Sequence, residues 1–154
     1  MTSRRLLIVL VALLAIVASG CGGGSDEPSL SDFQDQVVNT RDRVDFALSR
    51  VTQAQSKDEF LNRMDEASAA IEAAADDLED VQPPEKYEPE ATELADALHQ
   101  LSVDLSATAT DLRNETFGDL PGVQGLNFDS WDKANAALAG LVVKGIKVEL
   151  IQRH

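Results

Sequence analysis

Between Phe33 and Ala54 the positions suited to burial are Phe33, Val37, Thr40, Val44, Ala47, Val51 and Ala54, in alternating steps of four and three. The same beat returns at Phe60, Met64, Ala67, Ile71, Ala74, Leu78 and Val81, and again at Leu94, Leu98, Leu101, Leu105, Thr108 and Leu112. Alternating three and four keeps every member on one stripe of an α-helix, and charged residues fill the other faces. A helix with one apolar stripe must bury it against something. Three such helices in sequence bury theirs against each other, as a bundle.

The punctuation sets the boundaries. Ser56-Lys57-Asp58-Glu59 is a capping box, so a second helix starts there and the first ends near Gln55. A link that short makes the two an antiparallel hairpin. Pro83-Pro84 stops the second helix, and Pro89 belongs in the first turn of the third, flanked by Glu88 and Glu90 at the positive end of its dipole. Asp129 or Ser130 is expected to cap a shorter fourth helix carrying Trp131, Ala134, Leu138, Leu141 and Val142. Two endings fit that helix. Gly145 can serve as its C-terminal cap, followed by Ile146 to Leu150 in extended alternation, or the helix can run on to Gln152. The β-branched residues favour the cap. Between the third and fourth helices, Thr116 to Asn127 combines Gly118, Pro121, Gly122 and Gly125 with Phe117, Leu120, Val123 and Leu126. So apolar a loop either packs over one end of the bundle, which is expected, or forms the lip of a binding site. The expected fold is all-α: an antiparallel bundle of three long helices and a shorter fourth, with a packed loop and an extended C-terminal tail.

The N-terminus has a different character. Arg4-Arg5 leads into an unbroken apolar run of 12 residues, Leu6 to Val17, where a membrane span needs about 20. That is the layout of a secretory signal peptide. The arginine pair also looks like a twin-arginine export motif, but the strongly apolar run favours the general secretory route. The run closes on Ala18-Ser19-Gly20-Cys21. Small residues ahead of a cysteine admit the chain to a peptidase, and the thiol is a nucleophile that can accept a diacylglyceryl group. Residues 1–21 resemble the signal and lipobox of bacterial lipoproteins, with Ala18 where that family usually has leucine. The resemblance implies cleavage before Cys21, an acyl anchor on its sulfur, and a position on the extracytoplasmic side of the cell membrane. The expected organisation is signal peptide 1–20, lipidated cysteine and tether 21–29, and helical domain 30–154. Residues 22–29 would reach roughly 15–17 Å as a coil, which keeps the domain close to the bilayer.

Charge and composition narrow the partners. The formal charge is −14. Loss of Arg4 and Arg5 with the signal leaves 11 basic against 27 acidic side chains, a net −16. A field of that sign repels nucleic acid and anionic headgroups, so neither is expected as a partner. Cys21 is the single cysteine, so no internal disulfide can form. Candidate chemistry is sparse. Asp96 and His99 lie three apart, like half of a carboxylate-bridged di-metal site, but no second copy of the pair exists. Asp76, Asp77, Glu79 and Asp80 crowd the end of the second helix and read as a solvated face. There is no Gly-x-Ser-x-Gly and no phosphate-binding or dinucleotide loop. Neither a metal nor another cofactor is expected.

The Pro83-Pro84 break and the closing Asp129-Ser130-Trp131…Lys144-Gly145-Ile146 loosely resemble small helical lipoproteins of high-GC bacteria, which brings no activity with it. The expectation is a non-enzymatic interaction or ligand-binding module tied to the bilayer through Cys21, with an envelope protein or small ligand as partner. Its recognition surface is expected in the Phe117–Phe128 loop, with Phe117, Leu120 and Trp131 as anchors. The alternatives are a metal- or cofactor-binding bundle using Asp96 and His99, and a structural or oligomerising spacer.

Overall fold

The computed structural model of the chain describes residues 29–114, 126 and 128–153. These form four α-helices: α1 (Leu30–Thr52), α2 (Lys57–Glu79), α3 (Glu88–Arg113) and α4 (Asp129–Val143), with a 3₁₀ turn at Glu85–Tyr87 leading into α3. The all-α expectation holds, with three long helices and a shorter fourth.

Each boundary has a local cause. Ser29 caps α1 by accepting from the amide of Asp32 at 3.3 Å. Ser56 caps α2, its hydroxyl accepting from the Glu59 amide at 3.2 Å. The reciprocal arm of that box reaches one residue further back, since the Glu59 carboxylate accepts from the amide of Gln55 at 2.8 Å. Pro89 sits in the first turn of α3, where its missing N–H costs nothing. The start of α4 differs from expectation. Neither Asp129 nor Ser130 is its cap: Phe128 holds that position with no side-chain hydrogen bond. Ser130 turns inward instead, buried, and donates to the carboxylate of Asp104 on α3 at 2.5 Å.

The helices pack in chain order, α1 on α2, α2 on α3 and α3 on α4. As the central element, α3 buries Ala91, Ala95, Ala97 and Ala109 as well as Leu94, Leu98, Leu101 and Leu105. Alanine beside leucine suits a helix with a neighbour on each flank, because small residues let a second axis come close. Of the expected stripe on α4, Trp131, Ala134, Leu138 and Leu141 are buried, whereas Val142 is exposed.

α1 and α4 make no extensive contact, and the C-terminal segment fills the space between them. α4 ends in a Schellman motif: the Gly145 amide bonds the Val142 carbonyl and the Ile146 amide bonds the Leu141 carbonyl, each at 3.0 Å. Gly145 has φ +107°, a conformation that strains a residue with a Cβ. Beyond it, described residues 146–153 form neither helix nor strand, and they bury Ile146 and Ile151. Side chains satisfy the backbone of this strap. Gln34 accepts from the Lys147 amide at 3.4 Å, and Arg41 donates to the Leu150 carbonyl from two nitrogens at 3.3 and 3.1 Å. Asn135 bonds Ile151 on both sides, accepting from its amide at 2.8 Å and donating to its carbonyl at 3.1 Å. Asp45 accepts from the Gln152 amide at 2.8 Å. The burial differs from a clean alternation, since Leu150 is exposed and Ile151 turns inward.

Candidate functional site

Cys21, Phe117 and Leu120 lie outside the described residues, as do the signal, the tether up to residue 28 and most of the apolar loop. Trp131 is described, and it corrects the expected recognition surface. Its indole is 1 % exposed, because Trp131 falls on the inward stripe of α4. The Arg153 guanidinium lies 5.6 Å from the ring centroid and bonds Asp132 at 2.6 Å. Trp131 is therefore core and offers no ring face to a partner. Its Nε1 is buried and has no hydrogen-bond partner among the described residues.

Asp96 and His99 do not act as a pair. Residues three apart lie on neighbouring flanks of a helix, and here each flank of α3 meets a different partner helix. Asp96 lines the α3–α4 side with Gln100 and Lys133. His99 faces α2. There its Nδ1 is 3.4 Å from Glu72, and its Nε2 is 3.4 Å from Glu79 and 3.7 Å from Asp76. The three carboxylates follow at steps of four and three, which puts them on one face of α2 and aims them at a single imidazole. One donor atom each from Glu72, Asp76 and His99 lie within 4.8 Å of one another.

The electrostatics of this group differ from those elsewhere on the surface. Most cross-helix pairs join a carboxylate to a permanent cation, as in Arg43–Asp77, Arg50–Glu66, Arg113–Asp65 and Lys144–Glu90. Among the described residues, Glu72, Asp76 and Glu79 pair with His99 alone, which is charged only when protonated. The last turn of α2 carries no basic side chain, so the negative end of the helix dipole disfavours charge on Asp76 and Glu79. Burial works against charge on His99, but the hydrogen bond to Glu72 and the fields of Glu72, Glu79 and Asp76 together outweigh it. The imidazole is held above its ordinary value. The site therefore favours a protonated imidazole between the two helices.

A second surface feature lies between α1 and α2, where Arg43, Arg50 and Arg63 rim a groove floored by Ala47, Ala67 and Ala70. Phe46 stands in it 66 % exposed. Each arginine already holds a carboxylate (Asp77, Glu66 and Glu59), so the groove carries no net positive field.

Glu72 escaped the sequence reading, and Asp76 and Glu79 were legible only as a solvated face. The missing signal is register: Lys57 with Arg113, Ser68 with Ser102 and Glu72 with His99 are successive rungs of one antiparallel ladder between α2 and α3. Among the described residues no helix is long and apolar enough to cross a membrane. Compared with known protein families, curated proteins and solved structures, the chain matches none.

Proposed function

We propose that the chain is exported, lipidated on Cys21 and held at the outer face of a membrane, where its helical domain serves as a non-enzymatic interaction or ligand-binding module. One observation carries this reading: the basic pair Arg4-Arg5, the short apolar run Leu6 to Val17, and the small residues before a cysteine that is alone in the chain. A thiol with no other to pair with, placed at the end of a signal sequence, has one evident use.

The domain boundary supports it. Helix α1 begins at Leu30, capped by Ser29, so seven acidic and glycine-rich residues, 22–28, lie in sequence between Cys21 and the helical domain. Two or more acyl chains hold a protein stably at a bilayer, where one holds it only marginally. The non-enzymatic part rests on chemistry: among the described residues His99 pairs with carboxylates and with no hydroxyl or thiol that it would activate.

The test is metabolic labelling with a clickable fatty acid, followed by fractionation. Wild type takes up label and stays with membranes, and Cys21→Ala loses both. Label retained by Cys21→Ala overturns the proposal. Crosslinking in living cells with the lipidated protein then identifies what the module meets.

A further inference from the structure

We propose that the end of the bundle where α1 begins rests on the bilayer, seating Leu30, Val142 and Val143 in a neutral, zwitterionic lipid surface. This rests on the anchoring reading above and adds to it which end of the domain meets lipid. Packing defines that end. Phe33, in the first turn of α1, has its ring centroid 5.7 Å from that of Tyr87. The Tyr87 hydroxyl donates to the carbonyl of Lys144, the C-cap of α4, at 3.4 Å. Gln34 accepts from the Lys147 amide on the same side. The start of α1, the start of α3 and the close of α4 therefore form one end of the molecule. The start of α2 and the close of α3 form the other, where Lys57 donates to the Arg113 carbonyl at 3.4 Å.

The length of chain ahead of α1 decides which end lipid can reach. Eight steps of chain separate Cys21 from Ser29, and whatever their path they span at most about 29 Å. Helix α1, with 23 residues, is about 34 Å long. With the acyl group in the membrane, the tether is too short to bring the far end of α1 to the surface while its near end points away. Exposed apolar side chains also gather at the near end. Val143 is 88 % exposed, Leu30 49 % and Val142 44 %. On the flank, exposed Phe46 instead stands among the ion pairs of Arg43 and Arg50, which a bilayer would have to desolvate. Lys86 and Lys147 are exposed at the near end, and such side chains lay their stems along apolar surface with the ammonium among headgroups. Asp32, Glu85 and Glu88 share that end, so an anionic surface would repel it and a neutral one suits it.

The experiment uses full-length lipidated protein in dioleoylphosphatidylcholine vesicles. Acylation consumes the Cys21 thiol, so an introduced cysteine is the sole free thiol and can carry a bimane. The positions are Val143→Cys and Leu30→Cys at the near end, Asp58→Cys at the far end and Phe46→Cys on the flank, all exposed. Unchanged helical circular dichroism would show that the labelled proteins fold. Apolar groups at an interface settle about 5–10 Å into the headgroup–acyl boundary, so brominated acyl chains should quench the labels at 143 and 30 about twofold or more. Labels at 58 and 46 should fluoresce as they do without bromine. Val143→Asp should relieve the quenching at Leu30→Cys. Mass spectrometry of the same preparation separates the two readings, since an unacylated Cys21 overturns the anchoring proposal and this one with it. An acylated protein whose label at 143 is quenched no more than that at 58 overturns this inference alone. So does stronger quenching at 46, which would lay the domain on its flank. A 143 label shielded equally with and without bromine, as by a second copy of the chain, overturns it as well.

Discussion

Helices α1 to α4 and the strap at 146–153 both bury apolar side chains, but different interactions hold them. In the helical layer, Leu98, Leu101 and Ile71 are fully buried on stripes that repeat every three or four residues, and the backbone bonds to itself. In the strap, Ile146 and Ile151 are almost as deeply buried. Its amides and carbonyls instead depend on Gln34, Arg41, Asp45 and Asn135, residues from two helices that barely meet. A segment outside helix and sheet has to borrow partners for its backbone, because a buried orphan is costly. Helical order is therefore local and redundant. Strap order is long-range, and each borrowed partner counts.

The comparison is tested most severely by removing side chains from each region. Leu98→Ala in α3 should cost about 2–5 kcal/mol, the usual range for a buried leucine. Ile151→Ala should fall in the same range, although it lies close to the C-terminus where substitutions are ordinarily tolerated. Urea denaturation of both variants is the measurement. A cost below about 1 kcal/mol for Ile151→Ala would mean the strap is not part of the cooperative unit.

Next comes Asn135→Ala, which leaves the amide and carbonyl of Ile151 without their shared partner. The expected loss is about 1–3 kcal/mol for orphaned, partly buried groups. Hydrogen exchange should localise it: the Ile151 amide should lose protection well beyond the global change, while amides in α2 and α3 track global stability. Gly145→Ala should cost somewhat less, about 1–2 kcal/mol for a left-handed conformation with a side chain. Nothing lies within 4 Å of the added Cβ, so this variant measures backbone strain without a clash.

These contrasts explain what could be read from the chain. Period and caps placed α1, α2 and α3 because a stripe and a capping serine act within a few residues of themselves. Gly145 was legible for the same reason, as a glycine at the end of an apolar period. The pairing of Asn135 with Ile151 was not, since no rule of spacing links an asparagine on α4 to the C-terminal strap. Ser130 misled because serine before an apolar run usually caps, and here Asp104 on α3 competes for its hydroxyl. The His99 group was half legible. Asp96 and His99 drew notice at helical spacing, but the partners of His99 come from α2, and only folding the chain about the turn after Pro83-Pro84 sets Glu72 opposite it.

The smallest expected effect lies where the two regions join. Lys144, at the C-cap of α4, donates to the carboxylate of Glu90 and, at 2.8 Å, to the carbonyl of Lys86, while its own carbonyl accepts from Lys86 at 2.8 Å. The hydrogen bond from Lys144 is the chief reason the Glu90 carboxyl sits below its ordinary value. Burial pushes the other way, and the Glu90 backbone amide and the charge of Lys144 add to the lowering. A carboxyl lowered in the folded state stabilises it above the unfolded value, and that contribution is lost as pH falls through the folded value. Wild type should therefore exceed Glu90→Gln by a small constant margin from pH 6 to 8. The margin should shrink as pH drops below about 5, where unfolded carboxylates begin to take up protons, and it should diminish in high salt because solvent screens the pair. Paired urea melts at pH 7 and pH 4 measure the difference. If the root of the strap is held by this ion pair, Glu90→Gln should also raise exchange at the Ile146 amide. If the Schellman turn alone holds it, that amide should not change, and the strap depends on polar side chains only beyond its first buried residue.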